Sequence, residues 1–220
     1  MAERWATFDC YGTLVDWNGG IRSELARLFG EGQADRLLAR YHELEPQVQA
    51  EALRPYREVL ALTLERLAAT EGLTLPEGER DALARSLPDW APFPEVSSAL
   101  EELRRRGWRL AVLSNTDPDL IAASQARIGV PFDVTITAEE AGSYKPAHGH
   151  WHAFSERTGA DRVRHVHVAA SAFHDIAPAA ELGLVSVWID RLDEPAGPPA
   201  TRELPDLTAL PETLDELVAA

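Results

Sequence analysis

Five short runs of β-branched and apolar residues, Trp5 to Phe8, Leu110 to Leu113, Val134 to Thr137, Val166 to Ala169 and Val185 to Ile189, recur along the chain with helical stretches between them. Short apolar runs bounded by turn-forming residues read as strands. The intervening segments Glu95 to Arg106, Pro118 to Ile128, Ala147 to Thr158 and Ile176 to Leu182 each end near a glycine, which suits helix termination. This alternation predicts an α/β fold built on a doubly wound parallel sheet.

The rhythm lapses once. Between Asp16 and Pro94 roughly 80 residues carry no strand pattern, a reasonable size for a small helical unit. Amphipathic patterns run through Leu37, Leu38, Tyr41, Leu44 and Val48, then through Val59, Leu60, Leu62, Leu64 and Leu67. Pro55 suits a first helical position, and Pro88, Pro92 and Pro94 mark a rigid return to the sheet. The pattern predicts a helical cap, residues 16–93, inserted into a core of residues 1–15 and 94–220. Because the insertion follows the first strand directly, it emerges where a lid would exclude water from a reacting centre. The stretch Glu194 to Pro199 reads as a Pro-rich loop.

At 220 residues and 45% hydrophobic, the chain can bury a substantial core. The first residues run into the first strand without an apolar signal segment, and no apolar stretch is long enough to span a bilayer, so the expectation is a cytoplasmic protein. A formal charge of −15 argues against nucleic acid or an anionic membrane as partner. A small anionic substrate would have to find positive potential locally, from a few cations and helix N-termini. Of the 21 basic residues only Lys145 is not arginine. A compact ammonium with rotatable donors does what a planar guanidinium cannot, which marks Lys145 as a candidate. The single cysteine, Cys10, excludes an intramolecular disulfide, and strand alternation turns it away from the face Asp9 uses.

Candidate chemistry gathers where strands give way to turns. Asp9 ends the first strand in Phe8-Asp9-Cys10-Tyr11-Gly12-Thr13-Leu14, placing a carboxylate in the crevice where open parallel sheets bind ligands. Ser114-Asn115-Thr116-Asp117-Pro118 forms a second such turn, able to hold an anion on a hydroxyl, an amide and free N–H groups, or simply to cap the next helix. Lys145 follows a third strand. His148, His150 and His152 do not all converge on one helix face as metal ligands, although His148 and His152 share one. His165 and His167 share one strand face and read as packed or rim residues.

The motifs Asp9-x-Tyr11-Gly12-Thr13-Leu14, Ser114-Asn115, Lys145 and Val168 to Ile176, in that order, resemble the four motifs of the haloacid dehalogenase superfamily. The L-2-haloacid dehalogenases are similar to nearly the whole chain, including the return Pro92-Phe93-Pro94-Glu95-Val96. The resemblance implies a Rossmann-like core with a helical cap, acting as a homodimer. It further implies hydrolytic dehalogenation of short 2-haloacids to 2-hydroxyacids through an aspartyl ester, with no cofactor and no metal.

Tyr11 stands where the superfamily's phosphatases usually carry a second Asp. A phenol of pKa near ~10 is a poor proton donor at neutral pH, whereas a halide leaves without a proton. Ala170 occupies the first acidic position of the phosphatases' metal-binding pair, leaving Asp175 alone from a hard-oxygen ligand set.

By the same resemblance Asp9 is the nucleophile, Lys145 the cation beside it, and Thr13 a hydrogen-bond partner near it. Asp175 orients the hydrolytic water, Ser114 holds the substrate carboxylate, and Arg40 and Asn115 receive the halide. From the residues themselves, His174 with a reference pKa of ~6.5 suits a base or relay beside Asp175, and strand parity with Asp9 makes Tyr11 a wall. Trp151 takes the place of a Tyr six residues after the Lys, while Ala170 and Ala172 replace a Ser and an Asn around the water. The residues alone leave other readings open: Arg40 solvated and paired with Glu43, Tyr11 in the core, His174 facing solvent, Thr13 and Asn115 as turn formers. The alternatives in function are a magnesium-dependent phosphatase of the same superfamily and a non-catalytic scaffold that binds a small acid or a partner.

Overall fold

A computed structural model describes residues 3–192 and 199–219; all but the last residue of the Pro-rich stretch Glu194 to Pro199 lies outside the described residues. Six parallel strands, β1 (Arg4–Phe8), β2 (Trp108–Ser114), β3 (Val134–Thr137), β4 (His165–Ala169), β5 (Val185–Ile189) and β6 (Arg202–Leu204), form one sheet in the order β3-β2-β1-β4-β5-β6. The sixth escapes the sequence pattern because it is a three-residue edge strand carrying Arg202 and Glu203, and charge on an edge is a usual guard against further pairing. The chain builds outward to β3 on one side of β1 and then crosses to β4 on the other. At that reversal the connections diverge and leave a crevice at the carboxyl ends of β1 and β4.

Helices cover both faces. Following the insertion come α5 (Val96–Arg105), α6 (Pro118–Ile128), α7 (Ala138–Ala141), α8 (Gly149–Thr158), α9 (Ala177–Glu181) and α10 (Leu210–Leu217). Ala6, Phe8 and Cys10 pack with Leu100, Ile121 and Leu214 on one face of the sheet; Trp5, Ala111 and Leu113 meet Trp151 and Phe154 of α8 on the other. Cys10 is fully buried, on the side expected. The stretch expected to begin a helix at Ile176 starts earlier, as a π-turn over Ala172–Ile176. Ser171 begins it: its carbonyl accepts from the Ile176 N–H at 3.2 Å and its hydroxyl from the His174 N–H at 3.1 Å. Such wide turns recur at functional sites because they re-aim a side chain within a short span.

Four helices, α1 (Trp17–Phe29), α2 (Ala34–Glu51), α3 (Tyr56–Thr70) and α4 (Ala82–Ser86), lie between β1 and α5. The chain leaves and returns side by side, with an antiparallel bridge between Val15 and Pro92 and hydrogen bonds from Asp16 N–H to the Ala91 carbonyl (2.9 Å) and from Phe93 N–H to the Leu14 carbonyl (3.0 Å). The buried stripe of α2, Leu37, Tyr41, Leu44, Glu45 and Val48, follows helical spacing but includes one carboxylic acid. Pro55 precedes α3 rather than entering it and offers no capping side chain. The cap comes from the sheet instead. The Asp117 carboxylate accepts from the backbone N–H groups of Tyr56 (2.6 Å) and Arg57 (3.1 Å) and from the Arg57 Nε–H (2.8 Å). Asp117 therefore caps α3 and makes no side-chain capping bond to its own helix α6.

Candidate active site

Asp9 continues β1 by one residue, its N–H donating to the Val168 carbonyl of β4 at 3.1 Å. The chain then turns at Gly12, whose φ of 89° is a conformation that favours glycine. The turn folds Thr13 back, so its hydroxyl donates to Asp9 Oδ2 (2.9 Å) and accepts from the Ala170 N–H (2.9 Å). Thr13 is thus an orienting partner of Asp9, fixed from β4.

Lys145 reaches the same point across the sheet. Its ammonium donates to Asp9 Oδ1 (2.8 Å), Asp175 Oδ1 (2.6 Å) and the Leu113 carbonyl (2.9 Å), so every N–H is used. Asn115 holds the Lys145 backbone at both ends, accepting its N–H at 2.7 Å and donating to its carbonyl at 3.0 Å. Beyond these, Asp175 Oδ1 faces His167 Nε2 at 3.0 Å, and His167 Nδ1 and His165 Nε2 meet on the Thr7 hydroxyl at 2.9 and 2.8 Å. His167 is therefore a buried partner of Asp175. Strand parity with Thr7 and Asp9 was the available sign of it.

This environment drives the two carboxylates apart. Burial pushes the Asp9 carboxyl above its usual range and repulsion from Asp175 adds to that, against the opposing pull of Lys145 and Thr13. Burial would raise Asp175 too, but there the Lys145 ammonium and His167 outweigh it and hold the carboxyl below its ordinary value. The two carboxylates in turn raise Lys145 despite its burial, keeping it an ammonium. A pair of acids split in this way suits two roles, the more basic one as nucleophile and the other as a fixed charge.

A cavity of about 430 Å³ opens over these groups. Asp9, Tyr11, Ser114, Asn115, Lys145, His174 and Asp175 all line it. Two buried polar atoms there lack a protein partner, Ser114 Oγ and Asp175 Oδ2: a donor for an anion and an acceptor for water. His174 Nδ1 lies 3.0 Å from the Ser171 hydroxyl, and burial lowers its pKa, so it faces the cavity as a neutral ring. Tyr11 is a wall: its hydroxyl pairs with Ser124 at 2.9 Å while its ring stacks on Tyr56, centroids 6.3 Å apart.

Two expected site residues are elsewhere. Arg40 points to the outer face of α2, paired with Glu43 and lying 3.7 Å from Glu71, because the helix turns Tyr41, Leu44 and Glu45 inward. Trp151 is buried behind the site, its ring edge-on to His167 at 5.2 Å, and does not line the cavity. His148 pairs with Glu181 at 3.0 Å, and no group of three or more metal-ligating side chains occurs among the described residues.

The helical insertion walls the cavity as its place after β1 implies, but through residues the sequence reading does not single out. Glu45, Trp17, His42, Gln49 and Tyr56 line it. Tyr56 donates its hydroxyl to Glu45 Oε1 at 2.8 Å and accepts from Trp17 Nε1–H at 3.1 Å; Trp17 stacks on His42 with centroids 5.0 Å apart. Arg191 also reaches the cavity, donating to the Thr13 carbonyl at 2.8 Å and to Glu95 at 2.6 Å, with its guanidinium 3.6 Å from the centre of the Phe93 ring. A glutamate at helical core spacing was the one sequence sign of this wall.

The sequence profile of the haloacid dehalogenase-like hydrolases matches residues 4–183. An (S)-2-haloacid dehalogenase of Pseudomonas sp. (strain YL) is 31% identical, over 84% of this chain and 81% of its own length. Haloacetate dehalogenase H-2 of Moraxella sp. (strain B) is 30% identical over 84% of each. Among solved structures, an L-2-haloacid dehalogenase from Xanthobacter autotrophicus with chloropropionic acid covalently bound superposes with a TM-score of 0.84, covering 99% of this chain and 100% of that one at 20% identity, a likeness of fold.

Proposed function

This chain belongs to the haloacid dehalogenase-like hydrolases, and on that premise we propose that it hydrolyses short 2-haloacids to 2-hydroxyacids through an ester of Asp9. The observation that carries the reading is the Lys145 ammonium seated between two carboxylates, 2.8 Å from Asp9 and 2.6 Å from Asp175. It fixes the nucleophile's direction and screens an arriving anion from both acids.

Ser114 Oγ binds the substrate carboxylate. An Asp9 oxygen attacks the carbon bearing halogen from the side opposite that bond; the carbon–oxygen bond forms as the halide leaves with the bonding pair. The second N–H of Asn115 and the positive ring edges of the aromatic wall receive the halide, since Arg40 is turned away. Water held on Asp175 Oδ2 passes a proton to the neutral His174 ring and adds to the ester carbonyl, with Lys145 and Thr13 stabilising the oxyanion. On collapse His174 returns that proton to the departing alkoxide, giving the 2-hydroxyacid, and the regenerated Asp9 carboxylic acid releases the one proton made per turnover. The α1–α4 unit serves as a lid that keeps water from the first step.

A hydrolytic metal is disfavoured by the donor set: Ala170 offers no ligand, and both carboxylates are already committed to one ammonium. The homodimer and the cytoplasmic setting belong to the same reading; among the described residues no helix is long and apolar enough to cross a membrane.

The test is halide release from (S)-2-chloropropionate in the presence of a chelator, by the parent and by Asp9→Asn. The parent should turn over and the variant should lose at least about 10⁴-fold of the rate. Absence of halide, together with cleavage of a phosphomonoester once magnesium is restored, would establish the phosphatase reading instead.

A further inference from the structure

Glu45 is 6% exposed, lines the cavity, and forms no ion pair among the described residues. Its Oε1 is taken by the Tyr56 hydroxyl, and that hydroxyl is itself locked by Trp17, so the carboxyl is aimed rather than free to swing. No protein donor meets Oε2 among the described residues. The rings of Trp17, Tyr56 and Tyr11 line the same cavity. Burial lifts the Glu45 carboxyl to about 7, and an ammonium seated beside it would draw it back down.

The volume agrees. A 2-chloropropionate ion has six non-hydrogen atoms and fills on the order of 100 Å³ at protein packing density, a fraction of the 430 Å³ cavity. Of the cationic side chains lining the rest, Lys145 is consumed by the two catalytic carboxylates and Arg191 by Glu95 and the Thr13 carbonyl. Asp16 adds negative charge, while His42 and His174 are held towards their neutral forms by burial. The reaction end of the cavity is thus charge-compensated and the cap end is anionic and aromatic, which is the combination that binds an organic ammonium.

We infer that Glu45, Tyr56 and Trp17 form a subsite for a cationic amine at the far end of the substrate, so that the preferred substrate is a longer 2-haloacid bearing an ammonium tail. This rests on the dehalogenase reading for the reaction itself but adds a selection rule that reading does not contain. The carboxylate end would bind at Ser114 and the ammonium end against Glu45 Oε2.

The test compares 6-amino-2-chlorohexanoate with its neutral isostere 2-chloroheptanoate by kcat/KM for chloride release, in the parent and in Glu45→Gln. The parent should prefer the amine at least about tenfold, and Glu45→Gln should bring the ratio to near one. Because the ratio is internal to each protein, partial unfolding of the variant does not alter it. Equal or better use of the neutral substrate by the parent, or an unchanged ratio in the variant, overturns the subsite. Calorimetric binding of 6-aminohexanoate against heptanoate separates the two claims. If no haloacid, 2-chloropropionate included, releases chloride, yet the amine binds better and only while Glu45 is present, the reaction reading fails and the subsite stands. No binding preference for the amine sinks the subsite whatever the reaction.

Discussion

The two walls of the cavity handle charge in opposite ways. On the sheet side, Asp9 and Asp175 meet the Lys145 ammonium at 2.8 and 2.6 Å, and His167 closes the network with a contact to Asp175 at 3.0 Å. On the helical side, Glu45 is as deeply buried and meets only a neutral hydroxyl. A compensated network resists reorganisation and can hold reacting atoms in register; an uncompensated acid is costly until a ligand completes it. On the proposed reading, chemistry belongs to the sheet wall and selection to the helical wall.

Lys145 holds the sheet-side network together. Lys145→Met leaves two carboxylates facing each other in a buried space, so it should cost about 3–5 kcal/mol of stability by denaturant unfolding and abolish measurable halide release. A variant that stays as stable as the parent would show the network to be solvated and the contrast false.

Glu45 sharpens the same comparison through pH. Between the ordinary Glu value and about 7 the unfolded chain has released this proton while the folded chain still holds it, so rising pH favours unfolding across that window. Glu45→Gln removes the effect. Urea midpoints should show the variant gaining on the parent as pH rises from about 4.5 to 7, by up to about 3 kcal/mol. A difference that does not change with pH would mean Glu45 is already compensated.

The smallest effect expected is at Arg40, which belongs to neither wall. Arg40→Ala should leave kcat/KM for (S)-2-chloropropionate within about threefold, as suits an exposed ion pair. A loss of about 100-fold would place Arg40 in the working site and the halide cradle on the helical wall.

The same division governs what could be read from the chain. Asp9, Ser114 and Asp175 sit in contiguous motifs at strand ends, where alternation and turn chemistry dictate both position and direction; their convergence was legible. Helical residues are harder, because a rotation of a single position exchanges an outward side chain for an inward one. Arg40 and Glu45 lie five residues apart on α2, and only the packing of Leu37, Tyr41 and Leu44 decides that Glu45 faces the cavity. Trp151 misled for a related reason: its place in the motif is matched, but the helix α8 turns it into the layer beneath the site. Asp117 shows the limit of local reasoning, since its N-terminal capping partners belong to a helix some 60 residues earlier in the chain.

In the proposed reaction an Asp9 oxygen is joined to the organic fragment before water releases it. A single turnover in ¹⁸O-water, with enzyme in excess over (S)-2-chloropropionate, followed by mass spectrometry of the peptide containing Asp9 and of the lactate, tests it directly. Heavy oxygen should appear in the Asp9 carboxyl group and ordinary oxygen in the lactate hydroxyl; label in the lactate with an unlabelled peptide would rule out the ester.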